Sequence, residues 1–211
     1  ILASLLMLVS FSAKAGLIIV DDGDAGSISS SNNDLVNPLY GTATRDGFYG
    51  ATLKIAPGSS FLFDIEYLGK EAGFTNTFTF NGSEIFSTAT NSPGDTAGPF
   101  LLEAADFINN VIPFLFSYNT TSISGGDVVN GSNPNDLNDE ADQNFFVTCV
   151  DVATATSCDT IDIFLDDGGA GPDDNHDDMA IRLTARVPEP TTLALLGLGL
   201  IGISLTRGRK A

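Results

Sequence analysis

Carboxylates and amides crowd into one short segment of this sequence, Leu165-Asp166-Asp167-Gly168-Gly169-Ala170-Gly171-Pro172-Asp173-Asp174-Asn175-His176-Asp177-Asp178-Met179. Six carboxylates fall within thirteen residues of it, between positions 166 and 178. Carboxylate and amide oxygens are the ligands that Ca²⁺ prefers, and the central Gly and Pro residues predict a loop. We therefore predict a calcium site with Asp166, Asp173, Asn175 and Asp177 as ligands. Asp167, Asp174 and Asp178 are expected to support these ligands or to replace them.

The spacing of this segment only partly matches a known calcium loop. Asp173, Asn175 and Asp177 match the first half of an EF-hand loop, but Asp178 stands where that loop has glycine. Thr184 stands where it has the bidentate Glu, and the residues that follow alternate like a strand. The segment instead resembles the Asp-rich closing hairpin of some exported bacterial β-domains of unknown function. The alternative to a calcium site is a solvated acidic turn, with Asp177 or Asp178 bonded to backbone N–H groups where the strand begins.

Two other acidic stretches could contribute cation ligands. They are Asp21-Asp22-Gly23-Asp24 and Asp136-Leu137-Asn138-Asp139-Glu140-Ala141-Asp142. Loops of this kind are common on acidic domains, so most of these residues are expected to be ordinary solvated surface.

The sequence gives little support for catalysis. His176 is its only histidine, so a Ser-His-Asp or Cys-His arrangement would have to use it, and no Gly-x-Ser-x-Gly motif occurs. Paired carboxylates could hydrolyse glycosides, but so many acidic residues will place some pair at a suitable spacing by chance. We therefore predict that the protein is not an enzyme.

Two cysteines, Cys149 and Cys158, are the only ones in the chain. Without a second pair or a group of histidines they do not suggest a zinc site, and a disulfide between them is the simplest use.

The net charge of the chain argues against nucleic acid as a partner. The chain has 9 Lys+Arg against 27 Asp+Glu, a formal net charge of −18. Four of the basic residues, Lys14, Arg207, Arg209 and Lys210, lie in the two end segments, so the central part is more acidic still. Such a field repels nucleic acid and attracts cations, and no nucleic-acid partner is expected.

The central part has the periodicity of strands. Residues of Phe61 to Leu68 and of Met179 to Val187 alternate between apolar and polar, as in strands with one buried face. Further predicted strands are Tyr49 to Ile55, Phe74 to Phe80, Ile112 to Tyr118, Phe145 to Val152 and Thr160 to Leu165. Loops are predicted at Asn91 to Gly98 and Gly125 to Asp136, and a weak helix at Leu101 to Asn110. The predicted fold is all-β, an antiparallel β-sandwich that is jelly-roll-like.

Both ends of the chain have the composition of targeting segments. Residues 1–15 are an apolar run closed by Ala13-Lys14-Ala15, which predicts a signal peptide, expected to be truncated because the sequence begins without Met. The acidic domain is predicted to cover residues 16–187. Residues 188–211 contain Pro188-Glu189-Pro190, an apolar stretch and then Arg207, Arg209 and Lys210. A single transmembrane helix is predicted at about 191–206, with the basic cluster anchoring it on the cytoplasmic side.

This tail resembles the PEP-CTERM sorting signal, in which a Pro-Glu-Pro motif, a short Gly- and Leu-rich membrane helix and a basic cluster occur in this order. The resemblance implies recognition by an exosortase, a membrane cysteine protease of Gram-negative bacteria that make exopolysaccharide. It also implies an intermediate anchored in the inner membrane by the helix, followed by delivery to the cell surface or the extracellular matrix. The signal is an address and does not describe the domain that it delivers.

Three functions remain open at this level. The favoured hypothesis is a non-catalytic envelope or matrix protein, stabilised by calcium and contacting extracellular polysaccharide. A carbohydrate-binding module would need an exposed aromatic platform, and since the chain has no Trp this role would fall to Tyr40, Tyr49, Tyr67, Tyr118 or a Phe. A secreted hydrolase would need a pocket that joins His176 to a nucleophile.

Overall fold

A computed structural model describes residues 16–58, 60–71, 73–119, 126–133, 143–167 and 175–189 of the chain. The predicted signal peptide at 1–15 and the predicted membrane helix at about 191–206 lie outside the described residues. Within these ranges, no helix is long and apolar enough to cross a membrane.

Strands make up most of the described structure. They are β1 Ile18–Asp21, β2 Asp24–Ser29, β3 Thr44–Tyr49, β4 Thr52–Ile55, β5 Ser60–Gly69, β6 Thr75–Phe80, β7 Ser83–Ser87, β8 Thr96–Glu103, β9 Phe114–Asn119, β10 Gly126–Val129, β11 Asn144–Cys149, β12 Ser157–Cys158, β13 Thr160–Asp166 and β14 Met179–Arg186. The described helical elements are α1 Val36–Tyr40 and a 3-10 turn at Ala104–Asp106.

The strands form antiparallel sheets, as predicted. One described sheet has seven strands in the order β2-β3-β11-β13-β14-β5-β8. A second has four strands in the order β10-β9-β6-β7, and a third has three in the order β12-β1-β4. β6 and β7 are joined by Asn81 and Gly82, which both have positive φ (47° and 76°), as a tight two-residue hairpin turn requires.

Aromatic side chains fill the space between the sheets. Phe63 of β5 lies 5.3 Å from Phe80 of β6 between ring centroids, and Phe145 of β11 lies 5.5 Å from Phe114 of β9. The same buried cluster includes Ile18 and Leu53 of the three-stranded sheet. The sheets are therefore packed together around one main apolar core.

The predicted alternation holds in β5 and β14. Phe61, Phe63, Ile65 and Tyr67 are all buried, and so are Met179, Ile181, Leu183 and Ala185. The alternation ends before Val187, which is 54% exposed because it follows the last paired residue of β14.

Strands with one buried face and one solvent-exposed face were predicted, but the middle of the large sheet differs. There β11 and all but the first residue of β13 are buried on both faces. Phe146 and Phe164 point to the second face, where they pack with Val36 of α1 in a smaller apolar cluster. A five-residue helix that the sequence analysis did not predict thus covers this side of the sheet.

Two local predictions were wrong at their boundaries. Tyr49 to Ile55 is not one strand, because Gly50 takes a positive φ of 63° and the chain passes there from the large sheet to the three-stranded one. The predicted strand at Phe145 to Val152 ends at Cys149, where the chain bends towards Cys158. The Cys149–Cys158 disulfide is present, with 5.9 Å between the Cα atoms.

Two other segments were assigned to the wrong class. The predicted helix at Leu101 to Asn110 begins as the end of β8, where Leu102 pairs with Phe61 of β5, and only a 3-10 turn follows. Pairing with a long buried strand outweighs a weak helical preference. Similarly, β10 occupies part of the predicted loop at Gly125 to Asp136 because Val128 pairs with Phe116 of β9.

Candidate cation site at the closing hairpin

The acidic segment connects β13 to β14, as predicted, with Leu165 paired with Met179. This pairing brings Asp166 and Asp167, at the end of β13, close to Asp177 and Asp178, just before β14. The intervening residues 168–174 lie outside the described structure, and with them the predicted ligand Asp173 and its neighbour Asp174.

Asp177 is the most deeply buried of these carboxylates, at 0% exposure. Its Oδ2 accepts a 2.8 Å hydrogen bond from the backbone N–H of Asp34. Its backbone carbonyl accepts a 2.7 Å bond from the N–H of Glu71. Its Oδ1 is buried and receives no hydrogen bond from any described residue. A buried carboxylate oxygen without a donor is costly, so this atom indicates a place where a cation or a proton is needed.

Asn33 links the end of the hairpin to the start of α1 through hydrogen bonds. Its Nδ2 donates to the carbonyls of Asn175 (2.6 Å) and His176 (3.0 Å). Its Oδ1 accepts from the N–H groups of Leu35 (2.9 Å) and Val36 (3.0 Å), where α1 begins. Since Asn33 is itself buried, these bonds fix the backbone of the predicted ligand Asn175.

The second pair of carboxylates is arranged around Asn76 of β6. Asn76 Nδ2 donates to Asp167 Oδ2 at 2.8 Å and to the carbonyl of Asp178 at 3.3 Å. Asp178 Oδ2 accepts the backbone N–H of Asp167 at 2.8 Å. Asn76 Oδ1 is buried without a donor among the described residues. Asp167 and Asp178, expected behind the predicted ligands, therefore form a linked group of their own.

Burial and mutual repulsion raise the pKa of both inner carboxyl groups. The pKa of Asp177 rises to about 7, first through burial and then through Glu71 and the charge of Asp34, while the bond from the Asp34 N–H opposes the rise. Burial also raises the pKa of Asp178 well above its usual range, helped by the charges of Asp167, Asp166 and Asp177 and opposed by the bond from the Asp167 N–H. The cluster therefore favours a bound proton or cation near neutral pH.

The acidic turn is not solvated at its ends, because Asp166, Asp167 and Asp177 are all at most 4% exposed. Asp177 and Asp178 do accept backbone N–H bonds, but from Asp34 and Asp167. The described residues contain no group of three or more His, Cys, Asp or Glu side chains placed to hold a metal. A complete coordination shell would therefore need amide, carbonyl or water oxygens, or residues of 168–174.

Sequence reasoning missed Glu71, Asn33, Asp34 and Asn76. No local motif marks them, since each lies far along the chain from the acidic segment. Only the sheet order could have located Glu71: it follows β5, which pairs with β14 up to the contact of Gly69 with Ala180.

His176 is a buried structural residue in this arrangement. Its Nε2 lies 2.7 Å from Asn144 Oδ1, and its ring packs edge-on against Tyr49 and Phe146, with centroids 5.2 and 6.3 Å away. It is 1% exposed and has a left-handed φ of 56°.

The acidic stretch from Asp21 to Asp24 shows no comparable burial. Asp21 forms an ion pair with Lys54, and Asp22 and Asp24 lie near the surface. The stretch from Asp136 to Asp142 lies outside the described structure.

The chain leaves the large sheet at the end of β14 and continues directly into the predicted sorting segment. Pro188 and Glu189 are described, while Pro190 and the basic residues Arg207, Arg209 and Lys210 lie beyond the described range. The fold and this tail together indicate a β-rich domain delivered by a sorting signal.

Comparison with known families identifies that signal. The PEP-CTERM protein-sorting motif matches residues 186–210, so the chain carries this motif at its C-terminal end. The motif implies an exported, sorted protein that is processed by an exosortase. The match agrees with the tail predicted from the sequence. A search of curated proteins and a search of solved structures each gave no match.

Proposed function

We propose that the chain is a non-catalytic cell-surface or extracellular-matrix protein, delivered by its PEP-CTERM signal and stabilised by calcium at the closing hairpin. The single observation that supports calcium best is the buried Asp177 Oδ1, which no described donor reaches. In this proposal the domain is a jelly-roll-like sandwich, preceded by a signal peptide and followed by one membrane helix. The helix anchors an inner-membrane intermediate before exosortase processing releases the domain to the surface or matrix.

The proposed ligands remain Asp166, Asp173, Asn175 and Asp177, with Asp167, Asp174 and Asp178 supporting or replacing them. Two carboxylates 6 Å apart repel by about 3 kcal/mol at an effective dielectric near 20, so clustered acids need a counter-ion. The described arginines of β14 do not supply it. Arg182 bonds Asp162 and Arg186 bonds Asp64, both away from the hairpin end. A divalent ion can accept six to eight oxygens and so serve several carboxylates at once.

A non-catalytic role is supported by the setting of His176, which packs edge-on against two aromatic rings and bonds an amide. Among the alternatives, a carbohydrate-binding module with an aromatic platform has less support. Tyr49 and Tyr67 are buried, Tyr40 and Tyr118 are half-buried, and no described Phe is exposed. Contact with extracellular polysaccharide would therefore use polar and charged groups. A glycan array with the purified full chain tests this partner, and binding to a defined neutral sugar would favour the module instead.

Calcium dependence can be measured as thermal unfolding of the full chain in detergent, with millimolar CaCl₂ and with chelator. At a hundred times its dissociation constant, calcium should stabilise the fold by about 2.7 kcal/mol. Asp173→Ala and Asp177→Ala should lose most of this gain, while Glu84→Gln, an exposed substitution on β7, should keep it. Equal melting of the unsubstituted chain in both solutions would reduce the segment to an acidic turn.

Processing of the tail can be tested by mass spectrometry of the protein recovered from its native host. We expect a C-terminus between about Pro188 and Thr192. Recovery of mature surface protein with the end at Arg207 to Ala211 intact would argue against cleavage.

A further inference from the structure

Glu71 is brought to the acidic hairpin by the longest strand of the large sheet. β5 pairs with β14 along most of its length, and its last paired residue, Gly69, lies opposite Ala180. Two residues later the N–H of Glu71 donates to the carbonyl of Asp177 at 2.7 Å. The backbone of Glu71 is thus fixed beside the most buried carboxylate of the cluster.

The Glu71 side chain also contacts the end of the acidic hairpin. Its Oε2 accepts a long 3.4 Å hydrogen bond from Asn175 Nδ2. This contact places the Glu71 carboxylate beside the side chain of Asn175, a predicted ligand two residues before Asp177. Glu71 is exposed to solvent, whereas Asp177 is fully buried.

No described cation compensates this pair. The ion pairs of the described residues join Lys54 to Asp21, Arg182 to Asp162 and Glu66, and Arg186 to Asp64. Neighbouring carboxylates without a counter-ion repel one another, which favours the binding of a cation from solution. Because Glu71 is exposed, its carboxylate is accessible to an ion from solution.

We propose that Glu71 is a ligand of the hairpin's calcium ion, binding it together with Asp177 Oδ1. This inference rests on the proposed calcium binding and adds a ligand from a different part of the chain. Such a site joins three segments. They are the residues Asn33 and Asp34 before α1, the connection after β5 and the end of the hairpin. Calcium would then link the end of β5 to the start of β14.

The proposal can be tested by calorimetric titration of the full chain in detergent with CaCl₂ alone at moderate salt. Glu71→Gln keeps the size of the side chain and removes its charge, and should weaken calcium binding at least tenfold, or about 1.4 kcal/mol. The matched control Glu84→Gln removes the same charge elsewhere and should change the dissociation constant less than twofold. Asp177→Asn should abolish binding at this site.

Thermal unfolding in chelator separates a ligand from a merely structural residue. Without calcium, Glu71→Gln should melt at the same temperature as the unsubstituted chain or higher, because it removes repulsion. A melting temperature lowered equally in chelator and in calcium would show a structural role and overturn the proposal. Unchanged calcium affinity in Glu71→Gln would also overturn it while leaving calcium binding intact. An unsubstituted chain that binds no calcium would instead contradict the proposed function itself.

Discussion

The two ends of the β13–β14 hairpin both bury aspartate, but they compensate the charge differently. Near the start of β13, Asp162 is fully buried and accepts bonds of 2.8 and 2.9 Å from the guanidinium of Arg182. Tyr40 also donates to Asp162, and Arg45 stacks 4.0 Å above the Tyr40 ring centroid. At the other end, Asp177 and Asp178 form no ion pair with a described Lys or Arg.

We call the end with Asp162 the self-contained end, because its charge is compensated within the chain. The end with Asp177 is the conditional end, because no described Lys or Arg compensates its charge. Asp162 finds its counter-charge on the neighbouring strand, so its burial depends only on the chain. The cluster at Asp177 has no such partner among the described residues, and under the proposed function a proton or a metal ion from solution compensates its charge. A single pair of strands can therefore hold a permanent structural contact and a responsive one.

The largest expected effect comes from breaking the self-contained end. Arg182→Leu leaves Asp162 buried without its cation and should destabilise the fold by about 3 to 5 kcal/mol. The control is Arg186→Leu on the same strand, whose partner Asp64 is exposed, and it should cost far less. Urea unfolding of the full chain measures both, and equal losses would contradict the distinction between the two ends.

Removal of the disulfide should have the next largest effect. Cys158 precedes β13 by two residues, so its bond to Cys149 anchors the self-contained end covalently. Replacing both cysteines by Ala should cost on the order of 2 to 3 kcal/mol in the chain-entropy model. Thiol labelling of the unreduced, denatured protein checks the bond itself. Stoichiometric labelling of both cysteines would show that it does not form.

A graded effect, which accumulates with each pH unit, is expected at the conditional end. The pKa of Asp177 is raised to about 7 in the folded state, so this state holds a proton that the unfolded chain releases near pH 4. Its contribution to stability is complete below about pH 4 and is lost as the pH rises towards 7, by up to about 1.4 kcal/mol per unit.

The comparison that isolates this effect is between the unsubstituted chain and Asp177→Asn, both in chelator. The difference in unfolding free energy should shift in favour of Asp177→Asn as the pH rises from about 4 to 7. Saturating calcium should flatten the trend for the unsubstituted chain. A difference that does not change with pH would mean that the Asp177 carboxyl titrates normally.

The sequence was sufficient to predict the strands in which apolar and polar side chains alternate, because this alternation directly indicates one buried face. β5 and β14 were found in this way, and so was the hairpin around the acidic segment. Leu101 to Asn110 was misassigned because the strand conformation of its first residues depends on pairing with Phe61 and Leu62, about forty residues earlier. The disulfide could be predicted because the chain has only two cysteines and was expected to be exported.

The acidic cluster was only half predictable from the sequence, because strand pairing brings distant residues to it. The carboxylates of the acidic segment are adjacent in sequence, so they could be recognised together. Glu71 and Asn76 join them only through sheet order and packing, which a single sequence does not encode in any short motif. Nor could charge alone have shown that Asp177 would be buried while the equally acidic Asp22 stays near the surface.

The position of the sorting motif has a mechanical consequence. β14 is an interior strand of the large sheet, hydrogen-bonded to β13 on one side and β5 on the other, and the motif begins at its last residue, Arg186. Any pull transmitted through the tail would act along β14 and load both ladders in shear, so that many hydrogen bonds would have to break together. An edge strand, such as β2 or β8, could instead be detached from a single neighbour. A load applied through the tail would therefore act on one of the strands best placed to resist extraction from the sheet.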